Sequence, residues 1–241
     1  MKAGNGFESS RIAPPPVLLR RYALTCMVAF DTNLQPADQQ LMAAFVYTAA
    51  PHTRRHGPRG YADSHQYHPW LRDDFSFRCV YCLARERWSK GQYGFHVDHL
   101  IPQSKDPSRI LDYDNLLYAC STCNSVKRDA EGVPDPCQTA YGESLTVEDD
   151  GRIHARDDRG KILIKILRLD NEENTEFRHL ILEITRLAKR GKKEVYLRLM
   201  GFPDDMPDLV SKRPPGGNSK PEGVEHSFLA RRRRRELDET Y

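Results

Sequence analysis

The chain has 241 residues, 39% of them hydrophobic and 29% charged, with a formal net charge of +3. No stretch approaches the roughly 18 consecutive apolar residues that a membrane helix requires, which argues against a membrane as partner, and the length accommodates one ordinary domain with extensions or two small ones. The charge is uneven, since "HTRRHGPRG" (52–60), "RERWSK" (85–90) and "RRRRR" (231–235) are basic. Such clusters suit a polyanion, whose condensed counterions are released as Lys and Arg neutralise phosphates, although a solvated basic surface has the same composition.

Residues 1–68 read as an N-terminal extension with a basic linker. Arg11, Arg20 and Arg21 lie around "APPPVLL" and precede "YALTCMVAF". This is a poor imitation of a secretory signal, and a short buried element fits it better. "ADQQLMAAFVYTAA" (37–50) reads as a helix with Asp38 near its start, and the Pro, Gly, His and Arg of 51–68 as a charged loop. Six cysteines without a convincing export signal point to a reducing, cytoplasmic compartment, where paired cysteines bind metal more often than they form disulfides.

The ordered centre begins with "PWLRDDFSFRCVYC", whose Cys79 and Cys82 form one C-x-x-C; Cys120 and Cys123 form another, with 37 residues between the pairs. A two-residue spacer lets both thiolates of a knuckle reach one ion at about 2.3 Å, so two knuckles make a tetrahedral zinc site. Four thiolates leave no open position, so this zinc is structural and fixes whatever the 37 residues build. Cys26 and Cys137 have no short-range partner and read as small buried apolar residues.

Within the insert, Phe95, Val97, Leu100 and Ile101 mark a strand stopped by Pro102, "NLLYAC" marks a second, and a helix starts near Cys123. "DH" at 98–99, "DN" at 114–115 and "CN" at 123–124 followed by Lys127 occur in that order. Over 79–130 this resembles the HNH endonuclease family, with its ββα-metal fold often buttressed by paired C-x-x-C knuckles. The resemblance implies an α+β protein with a small nuclease core at 69–135, acting on nucleic acid, foremost double-stranded DNA. It makes His99 the general base, Asp98 a ligand of a divalent ion, Asn115 the middle asparagine, and Asn124 a second ligand in place of the family's last histidine. Carboxylate and amide oxygens suit Mg²⁺ or Mn²⁺. His96 is a third ligand, a partner of Asp98 or an ordinary strand histidine. Arg85, Arg87 and Lys127 are candidate phosphate contacts, and Trp88 reads as core.

Residues 136–202 read as an α-rich packing region. "LTVEDDGRIHARDDRG" carries a hairpin signal at "DDG", and "KILIKILRLD" fits strand or helix. "NTEFRHLILEITRLAKRG" is an amphipathic helix whose Phe177, Leu180, Ile181, Ile184 and Leu187 should face the core, with Asn174 as N-cap and Gly191 near its end. From 203 onward Pro, Gly, Asp and Ser dominate, which predicts a disordered basic tail. The alternative to a nuclease is a catalytically silent zinc-knuckle module that binds nucleic acid or protein, for which Asp98, His99 and Asn124 would have no use. A partner protein or a homodimer is compatible with either.

Overall fold

The structure, a computed structural model, describes Met1 and residues 44–241. Cys26, the N-terminal arginines and most of the helix expected at 37–50 lie outside the described residues. In the remaining part of that run, Phe45 and Tyr47 are buried.

Helix α1 (His68–Asp74) carries Pro69 in its first turn, where the fixed φ is tolerated, and buries Trp70 and Leu71. Strand β1 (Phe95–His99) pairs antiparallel with β2 (Leu116–Cys120), placing Val97 opposite Tyr118 and His99 opposite Leu116. Leu116, Leu117, Tyr118 and Ala119 are all fully buried, as expected of an uninterrupted apolar run rather than an alternating one. Regular pairing stops at His99, and one further bond from Leu100 N–H to the Asn115 carbonyl (2.9 Å) leads into the loop containing Pro102. Helix α2 (Ser121–Lys127) follows β2 directly, so the segment builds a strand, strand, helix unit.

The predicted hairpin is present as β3 (Leu145–Val147) and β4 (Ile153–Ala155), with Gly151 at φ 85° in the turn. "KILIKILRLD" resolves as helix: α3 (Asp158–Leu167) is capped by Asp157, whose Oδ1 accepts from Gly160 N–H at 2.8 Å, and Leu163 and Leu167 enter the core one turn apart. Helix α4 (Glu172–Gly191) ends where expected, but Asn171 is its N-cap, accepting from Asn174 N–H at 2.9 Å. Its buried line is Arg178, Ile181, Leu182, Thr185 and Ala188, whereas Phe177, Leu180, Ile184 and Leu187 are 37–70% exposed. The face predicted to be core is therefore only partly so. The apolar stripe is wider than the contact line, and the small Thr185 and Ala188 allow the closer approach. Helix α5 (Lys193–Met200) follows, burying Tyr196 and Met200.

The tail expected to be disordered from 203 is packed instead. Phe202, Met206 and Phe228 form a buried cluster with Phe77, Tyr241 stacks on Phe202 at 4.5 Å, and Leu209 joins the main core. Helix α6 (Phe228–Arg233) is fixed at its start by Phe228 N–H donating to Asp73 Oδ2 at 2.8 Å. Low apolar density misled the composition argument, because a few widely spaced large side chains suffice when a preformed surface receives them. Likewise the basic stretch at 52–60 does not form a free patch. Arg54 is buried with its guanidinium 5.0 Å from the Phe75 ring and 5.1 Å from that of Tyr113, and buried His56 lies 2.9 Å from Asp73 Oδ1.

Candidate metal centre and active site

Cys79, Cys82, Cys120 and Cys123 converge, with their sulfurs within 4.8 Å of one another and Cys82 Sγ 3.6 Å from Cys120 Sγ. Zinc bonds of about 2.3 Å in a tetrahedron set sulfurs about 3.8 Å apart, so both the donors and their spacing fit zinc. The first knuckle is shaped by Leu83 N–H donating to the Cys79 carbonyl (3.0 Å) and Cys79 N–H to the Ala84 carbonyl (2.8 Å), with Leu83 itself at φ 60°. The second knuckle begins α2, and Cys120 Sγ accepts from Cys123 N–H at 3.5 Å. Burial pushes the Cys79 thiol well above its ordinary value, so four thiolates at this spot require a compensating cation. Among the described residues this is the one group of three or more His, Cys, Asp or Glu side chains placed to share an ion.

The second cluster lies at the end of β1. Asp98 is 5% exposed and both its oxygens are engaged: Tyr81 Oη donates to Oδ2 at 2.5 Å, and Lys127 Nζ lies 3.2 Å from Oδ1. Lys127 Nζ also donates to the His99 carbonyl at 2.5 Å. Each carboxylate oxygen retains one lone-pair direction, so Asp98 still fits a cation that takes its other ligands from amide oxygen and water. Asn124 is half-buried on α2, three residues before Lys127. Burial raises the Asp98 carboxyl above its usual range, opposed by Lys127 and the Tyr81 hydroxyl.

His99 is buried, and its Nε2 is 3.0 Å from the Ile110 carbonyl oxygen. A carbonyl only accepts, so Nε2 carries the proton and Nδ1 is the basic nitrogen. Gln103 Nε2 lies against the imidazole, 3.1 Å from Nδ1 and 3.3 Å from Nε2, and so is not in line with the Nδ1 lone pair. Burial pulls the imidazole below its ordinary value, with the Ile110 carbonyl and Asp98 opposing. Asn115, fully buried, determines where that carbonyl lies. Its Oδ1 accepts from Ile101 N–H (2.9 Å), and its Nδ2 donates to the carbonyls of Ile101 (3.1 Å) and Arg109 (3.2 Å), spanning the loop that ends at Ile110.

The candidate phosphate contacts are placed elsewhere. Arg85 is fully buried, donates to the Met200 carbonyl at 2.8 Å and lies 4.3 Å from the Tyr241 ring, so it cannot present its charge to solvent. Arg87 donates to the Phe202 carbonyl and pairs with Asp204 at 2.8 Å, and Lys127 is held on Asp98. His96 is exposed on β1 while Asp98 is buried. Trp88 packs on Phe45 at 5.1 Å and donates to the Leu199 carbonyl. Sequence reasoning missed Tyr81 and Gln103. Tyr81 occupies a spacer position of C-x-x-C, which the ligand pattern leaves free, and Gln103 reaches His99 only because the chain turns at Pro102.

No helix among the described residues is long and apolar enough to cross a membrane. Among curated proteins none matches the chain. The family model of the HNH endonucleases matches residues 79–130, so the segment that runs from the first knuckle past the second and holds both clusters is similar to that family.

Proposed function

We propose that this domain hydrolyses phosphodiester bonds of double-stranded DNA as a metal-dependent endonuclease, with His99 as general base and a Mg²⁺ or Mn²⁺ ion held by Asp98 and Asn124. The observation that carries this reading is the tautomer of His99. With Nε2–H donated to Ile110, Nδ1 keeps the lone pair of the ring, and a water in line with it would present its proton to the base, while the Gln103 amide lies against the ring rather than in that line. Proton uptake makes the ring cationic, and the Ile110 carbonyl and nearby Asp98 both favour that form. Asn115 supports this step through the loop, and Asp98 keeps its direction through Tyr81 and Lys127. When bound, the divalent ion supplies positive charge to the scissile phosphate and the leaving oxygen, which a lone histidine cannot do. The products would be a 5′-phosphate and a 3′-hydroxyl, and the zinc centre takes no part in the chemistry.

The test is nicking of supercoiled plasmid by zinc-loaded protein with added Mg²⁺ or Mn²⁺, beside Asp98→Asn and a single-stranded RNA of matched sequence. Nicking that needs the added ion and is lost in Asp98→Asn supports the proposal. Nicking unaffected by the substitution removes the ion from Asp98, and cleavage confined to RNA reassigns the substrate.

A further inference from the structure

We infer that Tyr81 is a positioning residue by which the four-cysteine centre sets the carboxylate of the catalytic ion; the inference rests on Asp98 holding that ion, as proposed above. Tyr81 lies between Cys79 and Cys82, so its main chain is part of the first knuckle. That knuckle is anchored on both sides. Val80 N–H donates to the Tyr118 carbonyl of β2 at 2.9 Å, and the Tyr81 carbonyl accepts from Tyr47 Oη at 2.7 Å. From this fixed base the fully buried Tyr81 side chain reaches Asp98 Oδ2 at 2.5 Å. The other oxygen of Asp98 is held by Lys127, on the helix that starts at the second knuckle. Each oxygen of one carboxylate is thus directed by a different half of the cysteine centre, and the two metal sites are joined through single side chains.

A hydroxyl bond of this kind leaves the ion one carboxylate in one orientation. Partners that orient a ligand in this way typically change metal affinity about 10- to 100-fold when removed. The experiment compares Tyr81→Phe with Tyr47→Phe in the full chain loaded with zinc, measuring zinc content, melting temperature and Mn²⁺ binding by electron paramagnetic resonance. Tyr47→Phe is the control because it too removes a buried hydroxyl bond, made to the same knuckle, without touching Asp98. Tyr81→Phe should retain one zinc per chain and bind Mn²⁺ about 10- to 100-fold more weakly, with the Mn²⁺ concentration for half-maximal nicking raised in parallel. Tyr47→Phe should lower the melting temperature and leave Mn²⁺ affinity unchanged. Equal Mn²⁺ affinity in Tyr81→Phe and the parent overturns the inference, and so does loss of zinc from Tyr81→Phe, because the hydroxyl would then serve the knuckle rather than the carboxylate. A parent protein that binds no Mn²⁺ instead removes the reading of Asp98 on which the inference depends.

Discussion

In the proposed reaction Asn115 touches no reactant and acts only through the main chain. Its three bonds are all to main chain, and they fix the loop whose Ile110 carbonyl selects the tautomer of His99. Asn115→Ala should cost about 1–3 kcal/mol, because buried groups at Ile101 and Arg109 lose their partners. It should also lower kcat for nicking, with the zinc content unchanged. Calorimetry together with steady-state nicking checks both, and a variant with full activity and lowered stability would confine Asn115 to the scaffold. At this scale the order of Asp98, His99 and Asn115 in the chain is what singled them out, and the roles given to them belong to the proposal. The reversal of Lys127, from expected phosphate contact to buried partner of Asp98, was not legible. Charge alone does not say whether a lysine points outward, and the apolar stem can be buried either way.

Among the elements, the ββα unit and the hairpin could be read from apolar runs bounded by Pro and Gly, and α3 needed its Asp157 cap to decide between helix and strand. Helix α4 separates what periodicity gives from what it withholds. The 3.6-residue pattern located the helix, but the stripe it marked is broader than the surface that is buried. Ile181→Ala should therefore destabilise by about 2–4 kcal/mol, as large-to-small changes at buried sites do, whereas Leu187→Ala should stay within about 0.5 kcal/mol. Denaturant titration of the two variants checks this. Equal losses would mean that Leu187 is covered after all.

The whole molecule holds histidines inside it. Burial depresses His52 to about 3, assisted by Arg54, Arg55 and Lys220, and depresses His68 to about 4, assisted by Arg72. His52 stacks on Phe75 at 4.3 Å, and His68 meets the Tyr118 ring and lies 3.3 Å from the Phe95 carbonyl. Unfolding restores both to an ordinary value near 6.5, so the unfolded chain binds more protons between the two values. Their contribution is complete above about pH 6.5 and is lost as pH falls toward 4. Melting measured from pH 7.5 to 5 should show this decline, and His52→Phe with His68→Phe should flatten it relative to the parent; an unchanged slope would move its cause to other groups, the cysteine thiols first among them. The C-terminal packing belongs to this scale as well. Residues 203–241 join the rest through Phe228, Met206 and Tyr241, contacts that no local composition reports because the receiving surface at Phe77 and Asp73 lies more than a hundred residues earlier.

The proposed function divides the labour, in that the cysteines hold the fold and His99 takes a proton from water. This division is decided by the single-turnover nicking rate of His99→Ala, set beside its zinc content and melting temperature and those of Cys79→Ser. His99→Ala should retain zinc and a cooperative melt, lowered only by the loss of its bond to the Ile110 carbonyl, while its rate falls by about 10²- to 10⁴-fold, the usual contribution of a general base, and Cys79→Ser should lose zinc and the folded state together. Nicking by His99→Ala at the parent's rate would remove His99 from the chemistry.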